Sequence, residues 1–196
     1  MSIELIIAVV VILGLIFYLI SIYNKLVSLK NRVDNGWAQI DVQLQRRYDL
    51  IPNLVETAKG YMKHEKETLK MVIDARNSAN DAAKAASSNP SDQNAIKDLQ
   101  ASEQKLQGAM MSFQALAEGY PDLKANTNML ALQEELATTE NKVGFSRQAF
   151  NDAVMQYNTG IEIFPNSLIA NQFKFTQATE WQIEDQEAKK NVKVTF

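Results

Sequence analysis

The chain has 196 residues, no cysteine, one histidine and a formal net charge of −3. Its length accommodates one domain plus an anchor and leaves little room for two domains. The missing cysteines exclude disulfides, a thiol nucleophile, an iron–sulfur cluster and a Cys-based zinc site, the lone histidine excludes a multi-His metal centre within one chain, and a pI near 5.3 gives no general attraction to nucleic acid.

Residues 1–4 are expected to be a short exterior N-terminus. The uncharged run Leu5 to Tyr23, LIIAVVVILGLIFYLISIY, follows. At roughly 1.5 Å rise per residue it spans about 29 Å, close to the thickness of a hydrocarbon core. A cleaved signal peptide would need a basic n-region and a small-x-small cleavage site. Neither Lys nor Arg precedes the run, and its exit, SIYNKL, offers no such site. The expectation is an uncleaved transmembrane helix. Lys25, Lys30 and Arg32 follow the span and no Lys or Arg precedes it, which predicts N-out, single-pass insertion with the bulk of the chain cytoplasmic. Gly14 is the only glycine in the span, so there is no GxxxG pairing motif.

Low Gly and Pro content and abundant Ala, Gln, Lys, Glu and Leu predict an all-α fold. Leu26, Val33, Trp37, Ile40, Leu44 and Ile51 mark one helical face, so the membrane helix is expected to continue through residues 24–48. Pro52 is expected to kink or turn the chain. A second pattern, Val55 to Ala86 in steps of three and four, predicts a helix over about 53–86, ending at the loop SSNPSD. Asn89 and Pro90 suit the start of a helix over about 90–118. The most regular heptads, Met129 to Phe164, predict a helix over about 126–164. Short connections make neighbours antiparallel. Residues 24–165 should thus form an elongated antiparallel cytoplasmic bundle of three to four long helices.

Folding the second and third helices about residues 89–90 makes facing positions sum to about 179, so Arg76 is expected to pair with Glu103 as a structural ion pair. Residues 166–196 change character. Phe173, Phe175 and Trp181 lie close together, and the terminal VKVTF alternates as an extended segment. This tail is expected to lie along the bundle, burying its aromatics, or to dock on a neighbouring subunit or the membrane surface.

Candidate chemistry is sparse. His64-Glu65 begins a zincin-like HE, but position 68 is Thr, so the second ligand is missing. Glu134 and Glu135 are adjacent and point about 100° apart on a helix, which suits solvated charge. No spacing couples a nucleophile to a base and an orienting group. No catalytic, cofactor-binding or metal-binding residue is expected. Basic residues concentrate next to the span, where Lys25, Lys30 and Arg32 can attract anionic lipid. Arg46 and Arg47 lie farther along and either pair with acids of a neighbouring helix or subunit or form a solvated face.

The run from Ile22 to Glu67, with NRVDNGWAQIDVQLQRRYDLIPNLVETAKGYMKHE, resembles the LemA family of bacterial membrane proteins. YPDLKANTNMLALQEEL at 120–136, NDAVMQYNTGIEIFPNSLIA at 151–170 and the terminal VKVTF extend that resemblance over essentially the whole chain. It implies an N-terminal anchor, a helical body, an N-out topology and a place in the bacterial cytoplasmic membrane. The family carries no established enzymatic activity, and some members are implicated in membrane organisation, including the formation of magnetosome membranes. Two functions therefore stand as expectations. One is a non-catalytic scaffold in the lipid bilayer that self-assembles as a homo-oligomer. The other is an adaptor that binds another membrane or regulatory protein through helix faces or the C-terminal tail.

Overall fold

In the computed structural model the described residues are 2–90 and 92–182. They are helical, with no strand among them. The elements are α1 (Ile3–Lys59), α2 (Lys66–Ser88), α3 (Gln93–Ala117), the short α4 (Pro121–Lys124), α5 (Thr127–Glu162) and α6 (Asn166–Gln172). The extended ending expected of VKVTF lies outside the described residues.

One helix, α1, forms both the apolar span and the spine of the bundle. It is long and apolar enough over its first part to cross a membrane, and the side chains of that part are exposed. From Ile22 onward the exposed stripe gives way to a buried one, through Leu26, Val33, Trp37, Ile40, Leu44 and Tyr48. The same face continues past the proline as Ile51, Leu54, Val55 and Ala58. The expected break after residue 48 is therefore corrected: α1 runs unbroken to Lys59 with Pro52 inside it, and α2 begins at Lys66 rather than near 53.

The physical reason lies in α2. Proline has no N–H to give the carbonyl four residues back, which here belongs to Tyr48. Arg76 supplies the missing donor: its Nε donates to the Tyr48 carbonyl at 2.7 Å. The guanidinium also reaches Asp49 at 3.5 Å. A carbonyl that would be orphaned inside the bundle is thereby satisfied, and the helix continues. Arg76→Met is expected to cost about 1–3 kcal/mol by leaving that carbonyl unpaired. Pro52→Ala restores an N–H at the same place, so Arg76→Met should cost clearly less in that background. A double-mutant cycle read by urea denaturation measures the difference. Equal costs in the two backgrounds would show that Arg76 does not compensate for the proline.

The helices alternate in direction. α2 returns along α1, α3 packs on α2, and α5 returns along α1 on its other side. Helix α3 starts at an N-cap provided by Asp92, whose carboxylate accepts from the N–H groups of Asn94 and Ala95, rather than at Asn89 and Pro90. Asn126 caps α5 by accepting from the N–H of Met129. The α1–α5 seam is close-packed at Gly36, where an added Cβ would lie 3.2 Å from the Phe150 Cα. A side chain there would press on the Phe150 backbone, so the contact favours glycine. At the far end Asn126 donates to the Tyr61 hydroxyl and the Tyr120 hydroxyl donates to Glu65, tying the α1–α2 turn to the α3–α5 connection.

Candidate functional site

The polar centre of the bundle is built on one turn of α1. Arg47 and Tyr48 point to different neighbours yet meet at one carboxylate, because Glu103 of α3 accepts from both the Arg47 guanidinium and the Tyr48 hydroxyl. A second arm of Arg47 reaches Glu140 of α5. The Arg47 and Glu103 side chains keep only 11% and 10% of their surface, whereas Glu140 keeps 58%. One guanidinium thus links α1, α3 and α5. Burial pushes the Tyr48 hydroxyl up to about 12, against the opposing pull of Arg47, so it keeps its proton and serves as a donor.

The expected Arg76–Glu103 pair is corrected by this arrangement. The two residues lie on the paired helices α2 and α3, but both turn toward α1. Arg76 is taken by the Tyr48 carbonyl and Asp49, and Glu103 by Arg47 and Tyr48. The register argument treated α2 and α3 as a two-helix seam and left out the third helix that both face. Of the other expected residues, Arg46 pairs with Glu135 at the surface of α1 and α5. His64 is exposed in the α1–α2 turn.

Past α6 the chain runs along the bundle, and α5 holds it by its backbone. Asn158 donates to the Ala178 carbonyl at 2.9 Å and accepts from the Ala178 N–H at 2.9 Å. Asn151, two helical turns away, does the same for Trp181 at 3.0 and 2.8 Å. The Tyr157 hydroxyl donates to the Thr176 carbonyl, and Gln100 of α3 reaches the Glu180 carbonyl. These amides read main chain, so they fix the path of the tail whatever its side chains. Trp181 then packs into the core, 6.0 Å from the Trp37 ring, which itself meets Phe150 edge-on at 5.6 Å. Phe175 is half-buried and Phe173 is exposed, both against Tyr23 at the end of the uncharged apolar run.

Sequence reasoning singled out Trp181 and missed its clamps. Asn151 and Asn158 are seven residues apart beside the stripe Phe150, Val154, Tyr157. A repeated amide flanking a heptad seam was the available signal.

Beyond Trp181 the bundle is open. Residues of α1, α3 and α5 line a cavity of about 310 Å³ there. Ile51, Leu54, Leu106, Met110, Phe113 and Leu136 make much of its wall apolar, while Gln100, Gln104, Gln107 and Gln133 stand among its polar lining residues. Arg147 also lines it. Desolvation lowers the Arg147 guanidinium from its ordinary value, and the Glu140 charge partly offsets this. Two buried donors among the lining residues, Arg47 Nε and Trp181 Nε1, have no acceptor. Among the described residues no group of three His, Asp or Glu side chains converges as a metal site.

A single long apolar helix continuing into an antiparallel helical bundle, with a peptide-like tail clamped in one seam, defines a helical protein with one candidate N-terminal membrane span. A sequence profile of the LemA family matches residues 36–196, which takes in most of the bundle. The chain belongs to the LemA family. It is similar to protein LemA of Metamycoplasma hominis, at 24% identity over 157 residues, covering 79% of this chain and 67% of that one.

Proposed function

We propose that this protein is a non-catalytic, membrane-anchored scaffold that assembles with itself and organises the membrane around it. The observation that carries this reading is the continuity of α1. The apolar span and the spine of the bundle are one helix, so the bundle stands on the bilayer at a set attitude rather than on a flexible linker. Rigid single-span subunits of this kind suit side-by-side packing. Lys25, Lys30 and Arg32, all exposed just past the span, favour insertion in the bacterial cytoplasmic membrane with the bundle inside the cell. Light scattering of the detergent-extracted protein tests the reading. A discrete multiple of 22.0 kDa is the expected result, and a clean monomer would sink self-assembly.

A second reading, an adaptor for another membrane or regulatory protein, is favoured by the cavity between α3 and α5. An occupant offering acceptor oxygens near Arg47 and Trp181 would satisfy both unpaired donors. A monomer with a stoichiometric partner would support it.

A further inference from the structure

The corner between α5 and α6 carries an unusual surface. Ile163, Phe164, Leu168 and Phe173 are all exposed, Phe164 by 80%. Four large apolar side chains within eleven residues are out of place in water. Their position along the molecule is set by contacts with α1. Gly160 lies against Leu29 and Leu26, and the Tyr23 ring meets Phe173 at a tilt and Phe175 edge-on, with centroids 4.8 and 5.9 Å away. Tyr23 closes the uncharged run, and the first charge after it is Lys25. The corner is therefore held at the level where the apolar span ends. The exposed Leu19 and Ile20 lie within about one helical turn of Tyr23 on the same helix.

We propose that this corner is a second membrane contact, an interfacial element in which Phe164, Leu168 and Phe173 dip into the headgroup region of the bilayer beside the span. The inference rests on reading Leu5 to Tyr23 as a bilayer span. Three observations favour lipid as the occupant. Aromatic side chains are enriched at this depth. The exposed Lys25 and Lys174 flank the patch and match anionic headgroups. The surface also adjoins one that lipid already covers. Lys174 has a φ of 58, a left-handed conformation uncommon for a residue with a side chain. That turn sends the chain away from the corner and back along the bundle. A corner pinned in this way fixes the rotation of the bundle about the span as well as its height.

The chain has no cysteine, so an introduced thiol is unique. Full-length protein carrying Phe164→Cys, Leu19→Cys or Phe145→Cys is spin-labelled and reconstituted in vesicles of phosphatidylglycerol and phosphatidylethanolamine. Phe145 is 74% exposed in the middle of α5 and reports the aqueous bundle surface. All three sites are exposed, and circular dichroism checks that each variant keeps its helix. The label at 164 is expected to collide severalfold more with oxygen than with an aqueous nickel chelate, as at 19 and unlike at 145. A label at 164 that matches 145 while 19 stays in lipid would overturn the interfacial corner and leave the span standing. A label at 19 that also reads as aqueous would overturn the span and the corner with it. Exclusion of both reagents at 164, with spin–spin broadening, would show a second copy covering the patch and would likewise overturn lipid contact.

Discussion

Glu103→Ala is expected to be among the most destabilising single substitutions in the bundle. The carboxylate accepts from Arg47 and Tyr48 together, and both donors belong to the buried side of α1. Removing it strands a phenol that burial keeps protonated and a guanidinium left with one exposed partner, Glu140. Breaking a buried pair from one side costs about 3–5 kcal/mol, because an uncompensated charge stays behind. For a body of this size each kcal/mol moves the melting temperature by about 2–4 °C, so a fall on the order of 10 °C is expected. Glu140→Ala is the matched control. It touches the same guanidinium from an exposed position, where a pair is worth about 0–1 kcal/mol. Thermal melts followed by circular dichroism in detergent compare the two. Similar small shifts would mean that Arg47 turns to solvent freely, and that the link across α1, α3 and α5 adds nothing to the fold.

The helical class and the long apolar N-terminal helix were legible because both depend on periodicity and composition, which a single sequence carries in full. The path of α1 through Pro52 was not. The local rule is sound: proline does remove the bond to the Tyr48 carbonyl. What the sequence hides is that Arg76, twenty-four residues away, replaces it. The failure of the expected Arg76–Glu103 pair has the same origin. Two helices can be registered by counting from their loop, but a third helix packed against both decides which way polar side chains turn. The cavity was illegible for a further reason. Its lining comes from α1, α3, α5 and the tail at Trp181, so it depends on how separate elements assemble rather than on any one stretch of residues. Arg47 shows where the boundary falls. Its basic character and distance from the apolar run left it either to pair with a neighbouring helix or subunit or to join a solvated face, and the choice of Glu103 and Glu140 needed the fold.

Trp181→Ala should rival Glu103→Ala, by a different mechanism. Trp181 is 2% exposed and packs at a tilt against Trp37, which in turn meets Phe150 at the α1–α5 seam. Truncation opens a cavity between the tail and the bundle, at a cost of about 3–5 kcal/mol. The two Asn151 hydrogen bonds to the residue's own backbone survive the change, so the loss isolates the side chain. Trp181→Phe discriminates further. The indole Nε1 has no acceptor, so replacing it gives up no hydrogen bond and removes a buried donor that is a standing penalty. That variant should therefore lose much less than the alanine, and Phe173→Ala, at an exposed ring, less again. Urea titrations followed by circular dichroism order the three. If all three matched the parent chain, the tail through Gln182 would be a passive rider on the bundle. If alanine alone collapses the midpoint, the tail is a fifth element of the core, and the amides of Asn151 and Asn158 align it so that one indole seats against Trp37 at the α1–α5 seam.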